Sequence, residues 1–519
     1  MLTKAQPYQA VARFMQAFQQ RIQPFWWVAM LLLAGYWSLL AGQHISTSNI
    51  KGDAGQNLQI AVHLYQHGEF SMASTAGFQP TNFREPLPIV VTALYLKASG
   101  RNHDYMTLDN LRSGEPARFV KLHNLGWVFL GLIATWLLFN ELTTSRWAGG
   151  LAAGSAFIFF FNNPYVVDSL YTELVTGVLM TGTSYLMLLA GRRQKGSLWL
   201  ATGVGLGLLC LTKSAFLYIS LVTIVVLATV MLLQRGARAR PWLAAGFMTL
   251  GLICTTAPWM IRNQLLFDSA EISSGRSGWV LYKRALLNRI TPEEFRLAFT
   301  LFGPRLYQDL VAGTSLAITP EDAKLRTGRV SRLYAGRSEF SGDDMRAQGA
   351  GDPDRAVTLY RKTSAMYIKL SREMEQAGDP HPTYAADRAL QAIALPMLKE
   401  EPLAHLKLSI LMFWRGMWSI PPQLQIPLLP EGRWRSGFIE VINALGVLAL
   451  LGCFVWGMLQ RNVRLLAFTM LPVMMMAFYT LLSQNLPRFF APTQPIMLVA
   501  LLLLVFQLIG GIMVKTKQD

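Results

Sequence analysis

The stretch NIKGDAGQNLQIAVHLYQHGEF, residues 49–70, sets Asp53 a few residues beyond an apolar run at 25–42 that carries no charge. A carboxylate in that place can sit in water, cap the helix that Ile60, Ala61, Leu64 and Tyr65 predict, or exchange a proton with a substrate. Ionisable residues recur at other ends of apolar runs. TNFREPLPIVVTALYL (81–96) puts Arg84 and Glu85 ahead of a Pro-x-Pro and an apolar helix. NNPYVVDSLYTELVTGVLM (162–180) holds Asp168 and Glu173, and CLTKSAFLY (210–218) holds Lys213 in a tight turn. TTAPWMIRNQLLFDS (255–269) closes a run with Arg262 and Asn263, and NLPRFFAPTQPIMLV (485–499) opens one with Arg488. Carboxylates offer proton transfer; guanidinium and ammonium groups offer anion binding.

The elements that must position these groups are membrane helices. The 519 residues are 52% hydrophobic and 15% charged, where soluble domains carry about 25% charged residues. Runs of roughly 18 or more apolar residues cross a bilayer as a helix. Spans are expected near 25–42, 122–140, 147–161, 174–191, 197–212, 214–234, 242–261, 441–460, 465–486 and 489–514, with 147–161 and 197–212 the shortest. The first 24 residues are basic (Lys4, Arg13, Arg21), and the run that follows lacks a small-residue cleavage site, so it reads as an uncleaved anchor. Cys210, Cys254 and Cys453 all fall in apolar spans, which excludes a disulfide framework and points to core positions.

The net charge of +17 is distributed by side. The N-terminus, 141–146, 192–195, 235–240, 461–464 and the tail from Lys515 together hold 14 Lys/Arg and 2 acids; the remainder holds 33 Lys/Arg and 28 acids. This positive-inside asymmetry places both termini in the cytoplasm and argues against nucleic acid as a partner. The connections 43–117 and 262–440 then lie outside, and every motif quoted above falls at that outer boundary. Ionisable groups at such a depth are costly and usually functional. The long connection is polar and helical in pattern: DRAVTLYRKTSAMYIKLSREME (354–375) has apolar residues at helical spacing, ended by Gly378-Asp379-Pro380. The apolar part of the next helix, about 406–420, carries Lys407 and Arg415 and reads as interfacial. The fold class expected is an all-α polytopic membrane protein. Its parts are a transmembrane module over 1–285, a mostly helical extracytoplasmic segment over 286–401, and an interfacial helix with the last spans over 402–519.

The order of these motifs resembles the GT-C superfamily of membrane glycosyltransferases that use polyprenyl-phosphate sugars, on the branch of the protein O-mannosyltransferases and the aminoarabinose transferase of lipid A. The resemblance rests on G-D…G-x-F, R-E-P-L-P, Y-T-E-L, L-T-K, P-W-x-x-R-N and R-F-x-x-P, and covers about 1–285 and 402–510. It departs in two places: Ala54 follows Asp53 where the family often has a second acid, and Phe489 stands where Tyr is common. The resemblance implies a GT-C-like bundle of about ten spans in the plasma (inner) membrane. It implies Asp53 as catalytic acid/base, Glu173 as a second acid, and Arg84, Arg262, Arg488 and Lys213 as donor-phosphate ligands, with Glu85, Asp168 and Asn263 as further site residues. The partners implied are a polyprenyl-phosphate-linked sugar and an envelope glycan, lipid or protein acceptor. The poorly covered segment 286–400 is where acceptor specificity would reside.

Each residue also has an ordinary role to weigh. Arg84 and Arg488 suit interface anchors, Glu173 a helix N-terminal acid, Lys213 a turn neutraliser and Asn263 a helix cap. His63 and His67 share a helical face, without a third metal ligand in view, so the residues call for no cofactor and leave a divalent metal open. A transporter or flippase of lipid-linked sugars is the rival reading, and a non-catalytic scaffold the third. In a background without native cysteines, single cysteines at 100 and 350 should react with an impermeant thiol reagent added outside intact cells, and one at 238 should not; outside labelling at 238 overturns the sidedness.

Overall fold

The computed structural model describes residues 25–73, 79–101, 105–143, 145–234, 240–334, 342–421, 424–426 and 429–508. The basic segment before Phe25, the loop at 235–239, His103 and the tail from Lys515 lie outside the described residues. Among the described residues the chain is helical, with one isolated bridge (Ser71 to Pro80) and no strand.

Among the described residues, eight helices are long and apolar enough to cross a membrane, which makes this a multi-pass membrane protein: α1 (Phe25–His44), α4 (Gly114–Thr143), α6 (Glu173–Arg193), α8 (Phe216–Leu233), α9 (Pro241–Phe267), α15 (Arg433–Leu459), α16 (Val463–Leu482) and α17 (Pro487–Leu508). Shorter apolar helices are α3 (Pro86–Ala98), α5 (Arg146–Phe161) and α7 (Gly196–Cys210); α5 and α7 are the two short runs noted in the sequence. The remaining main helices are α2 (Gly52–His67), α10 (Ser277–Asn288), α11 (Pro292–Phe302), α12 (Leu359–Gln376), α13 (Pro382–Glu400) and α14 (Pro402–Met417). The helix expected at 406–420 is α14. Its 16 residues with Lys407 and Arg415 keep it out of the spanning set. Helix α12 starts at Leu359 rather than near 354, because the Thr358 side chain caps it and is itself held by Asp344.

Helix α6 is the hub. It packs on α4, α7 and α16 and on the start of α17. Close packing within a bilayer relies on small residues, since lipid tails give helix pairs no hydrophobic driving force. Helices α7 and α9 meet in this way. A Cβ on Gly203 would lie 2.2 Å from the Met248 carbonyl oxygen, and one on Gly251 2.4 Å from that of Leu200. Apolar side chains such as Leu221, Val225, Leu250 and Leu265 face outward, which suits hydrocarbon rather than water.

Local rules set the elements around Asp53. Gly52 takes a left-handed φ of 58° at the start of α2, and Gly68 ends the helix in a left-handed turn whose N–H bonds Leu64. Pro86 opens α3 at a position that needs no N–H donor. Its cap residue, Glu85, makes no side-chain cap bond, so that carboxylate is free to bond elsewhere.

Replacing Gly203 by Ala should force α7 and α9 apart and destabilise the protein by about 1–3 kcal/mol, the scale of core overpacking. Melting of the detergent-solubilised protein checks this, with Gly246→Ala, whose Cβ meets nothing within 4 Å, as the neutral control.

Candidate active site

Asp53 stands in the first turn of α2 and is not its cap; that position belongs to Lys51, which corrects the cap expectation. The carboxylate is held from two directions. Arg84 Nη2 donates to Oδ1 at 2.5 Å, and Arg488 Nη2 donates to Oδ2 at 2.8 Å. The same Arg84 nitrogen donates to Gln56, one turn further along α2. Burial alone would raise the Asp53 pKa, but Arg84 and Arg488 outweigh it and hold the carboxyl far below the ordinary range. The Nε atoms of both arginines are buried and have no partner among the described residues.

A second layer of ions backs this centre. Glu85 is buried and accepts from Arg276 Nη2 at 3.3–3.4 Å and from the Ser273 and Ser214 hydroxyls at 3.2 and 3.4 Å. Burial works against the Glu85 charge, yet Arg276 leads the neighbours that keep its pKa low. Lys213 and Glu173 are both buried and pair at 3.4 Å; Glu173 Oε2 has no partner. Burial opposes the Lys213 charge, but Glu173, Tyr479 and Glu85 raise its pKa overall. Arg488 lies over the Tyr171 and Phe489 rings at 5.1 and 5.5 Å, and Phe489 stacks on Tyr479. Four cations (Arg84, Lys213, Arg276, Arg488) thus meet three carboxylates (Asp53, Glu85, Glu173), which leaves one positive charge in excess. A cavity of about 410 Å³ opens on α2, lined by Lys51, Gly52, Gln56, Gln59 and Arg112 among others, with Asp53 itself outside its walls.

Three of the residues singled out in the sequence sit elsewhere. Arg262 donates to the carbonyls of Thr81 (2.8 Å) and Phe70 (3.2 Å) and stacks on Trp259, so it clamps the segment leading to Arg84. Asn263 is fully buried and donates to the Glu271 carbonyl at 2.7 Å, tying down the exit of α9. Asp168 pairs with buried Lys121 at 2.8 Å and accepts from Ser46 and Ser48. Lys121 also donates to the Ser46 and Ser48 carbonyls, and the group locks the exit of α1 to α4. Arg276 and Gln56 escaped sequence reading. The first follows a Ser-Ser-Gly just past a span, and the second lies three residues after Asp53 on a helix; only that spacing could have marked it. The His63 and His67 rings lie 4.7 Å apart, tilted at 57°, and among the described residues no group of three His, Cys, Asp or Glu is placed to hold a metal.

No protein-family model matches the sequence, and no curated protein matches it. Solved structures do resemble it. The archaeal oligosaccharyltransferase AglB from Archaeoglobus fulgidus, in complex with an inhibitory peptide and a dolichol-phosphate, is 13% identical with a TM-score of 0.44, over 94% of this chain and 51% of that one. The apo form of the Archaeoglobus fulgidus oligosaccharyltransferase is 11% identical with a TM-score of 0.47, over 93% and 51%. ArnT from Cupriavidus metallidurans, bound to undecaprenyl phosphate, is 13% identical with a TM-score of 0.35, over 90% and 77%. The chain spans about half the length of the oligosaccharyltransferases it matches. Identities and scores this low do not place the chain in either group.

The ion pairs of Asp53 have a stability signature. A carboxyl whose pKa is lowered on folding contributes stability that is full above its unfolded pKa of about 3.9 and is lost as pH falls below it. The stability gap between wild type and Asp53→Asn should therefore be flat from about pH 7 to 5 and narrow below about pH 4, as read by melting across pH. A gap that changes between pH 7 and 5 contradicts the pairing.

Proposed function

We propose that this protein is an inverting glycosyltransferase that moves a sugar from a polyprenyl-phosphate donor to a cell-envelope acceptor at the outer face of the plasma membrane. The observation that carries this reading is the Asp53 carboxylate suspended between Arg84 and Arg488, three residues that stand in the motifs of the family resemblance. The surplus positive charge around them favours an anionic ligand.

In this reading the acceptor hydroxyl attacks the anomeric carbon as the bond from that carbon to the phosphate oxygen breaks. The acceptor proton passes to Asp53, and the polyprenyl phosphate leaves carrying the electron pair. Phosphate leaves readily without a general acid, so one carboxylate suffices, and a single displacement inverts the anomeric centre. Arg84 and Arg488, with Lys213 behind them, stabilise the charge that grows on the phosphate. The resting ion pairs then have a purpose. While both arginines hold Asp53, its carboxylate is a poor base. A donor phosphate competes for the same guanidinium groups, and Asp53 gains basicity as they turn to it. The base is armed by the donor, so acceptor activation waits for donor binding.

The cavity lined by Gln56 and Arg112 suits the acceptor, since it lies on the same helix as Asp53, and the segment 286–401 would select among acceptors. A transporter of lipid-linked sugars is less well supported. Transporters gather polar groups near the bilayer midplane on broken helices. Here Asp53 and Arg84 lie outside the candidate spans and Arg488 at the first turn of one.

Asp53→Asn should reduce sugar transfer from undecaprenyl-phosphate donors by about 100-fold or more, the usual scale of general base catalysis. The same variant should bind undecaprenyl phosphate more tightly than wild type, because its arginines are no longer engaged. Arg488→Ala should cost about ten- to 150-fold in donor use, the worth of a hydrogen bond to a charged group, with Arg488→Lys in between. Normal turnover in Asp53→Asn by mass spectrometry of the lipid pool removes the base assignment.

A further inference from the structure

A second group of cations lies between α10, α14 and the segment that joins α16 to α17. Lys283 on α10 is buried; it donates to the Gln484 side chain and lies over the Trp279 and Tyr360 rings at 5.4 and 4.7 Å. Arg415 on α14 donates to the Gln484 carbonyl at 3.2 Å and covers the Phe302 ring at 4.1 Å. Both line a cavity of about 170 Å³, with Tyr360, Phe302 and Arg332 among its other walls. Arg284 stands behind them with no exposure. It donates to the Ser483 carbonyl and the Ser409 hydroxyl, and its Nε has no partner.

This group differs from the Asp53 centre in its charge balance. Among the described residues no carboxylate pairs with Lys283, Arg284 or Arg415. Two acids bond walls of the cavity: Glu294 pairs with Arg332 at 3.2 Å and also caps α11, and Asp344 accepts from the Thr358 hydroxyl at 2.6 Å. Buried cations without a counter-ion are costly, and a cluster of them more so. The neutral Gln484 is the shared acceptor for two of them, and it cannot cancel either charge. Burial and the nearby Arg415 push the Lys283 ammonium well below its ordinary pKa, and burial brings Arg415 down to about 10. An anion entering the cavity would relieve both. A Lys point charge beside an Arg fork suits the several oxygens of a phosphate group better than a carboxylate, which neutralises one cation only.

We propose that the cavity bounded by Lys283, Arg415 and Gln484 is a second oxyanion site, distinct from the Asp53 centre, that takes a phosphate group supplied from outside the chain. Gln484 precedes Arg488 by four residues, so the two sites share one connecting segment. That the phosphate belongs to the acceptor rests on the glycosyltransferase reading; the site itself does not.

The test uses the full-length protein in detergent, with dioleoyl phosphatidic acid, inorganic phosphate and dioleoyl phosphatidylcholine as probes, read by native mass spectrometry and melting. Wild type should bind phosphatidic acid or phosphate, and not phosphatidylcholine. Lys283→Met and Arg415→Met should each weaken that binding by about ten-fold or more, the scale of one charge-assisted hydrogen bond. Arg488→Ala should leave it intact while weakening undecaprenyl phosphate, so failure at one site is separable from failure at the other. Binding of phosphatidic acid alone assigns a lipid headgroup, and binding of both anions a phosphate irrespective of its carrier. Without probe, Lys283→Met should melt no lower than wild type, because it removes a buried cation that has no counter-ion. Equal anion binding by wild type and both variants, or lower melting with no change in binding, overturns the proposal.

Discussion

One carboxylate ties together parts of the chain that are 435 residues apart. Asp53 accepts from Arg84 on the segment before α3 and from Arg488 at the first turn of α17. Either guanidinium alone would balance its charge. Two guanidinium groups so close repel each other, and the carboxylate between them is what makes the arrangement tolerable. The first connection and the last membrane helix are therefore coupled through a contact that any competing anion must disturb. Around it, Glu85 with Arg276 and Glu173 with Lys213 hold the flanking segments in place, and their charges are satisfied by one another.

The bundle provides the rigidity this contact needs. Helix α6, largely buried, carries Glu173 at its first residue and meets the start of α17 near Pro492, where a Cβ on Gly177 would approach the Pro492 carbonyl. The start of α17 is itself irregular. Four residues of helix, Pro487–Phe490, give way to a tighter turn before the regular helix resumes at Gln494. Proline at 487, 492 and 495 explains the break, since none can donate a backbone bond. The break keeps Arg488 at the helix mouth, facing Asp53.

The spans were legible because apolar length is a property of the chain alone: α5 and α7 were the weakest runs by length and are the short apolar helices of the bundle. The absence of α14 from the spanning set was legible from its short apolar part and from Lys407 and Arg415 for the same reason. The roles of the polar residues were less so, because a cation's partner lies far off in sequence. Arg262 and Asn263 sit in the P-W-x-x-R-N stretch, yet they bind the carbonyls of Phe70, Thr81 and Glu271, and a carbonyl has no sequence signature. Asp168 resembled a site acid, and its partner Lys121 belongs to a helix read only as a span. Arg276 had no spacing relation to any acid, and folding alone brings it to Glu85.

The two cation groups differ in a way that bears on what each is for. Around Asp53 the chain supplies most of the countercharge, so the empty site is stable and a ligand must displace internal pairs to enter. Such a centre discriminates, because only an anion that outcompetes a carboxylate gains access. Around Lys283 and Arg415 the described residues supply amide and carbonyl dipoles but no paired carboxylate. A ligand there displaces no ionic partner, only the neutral Gln484 acceptors, and its binding energy includes relief of the cations themselves. Gln484 and Arg488 stand on one short segment between α16 and α17, so an anion that draws Lys283 and Arg415 together would fix the segment that carries Arg488. In the glycosyltransferase proposed above, the resistant site would do the chemistry, and the receptive site would steady the element that the chemistry depends on.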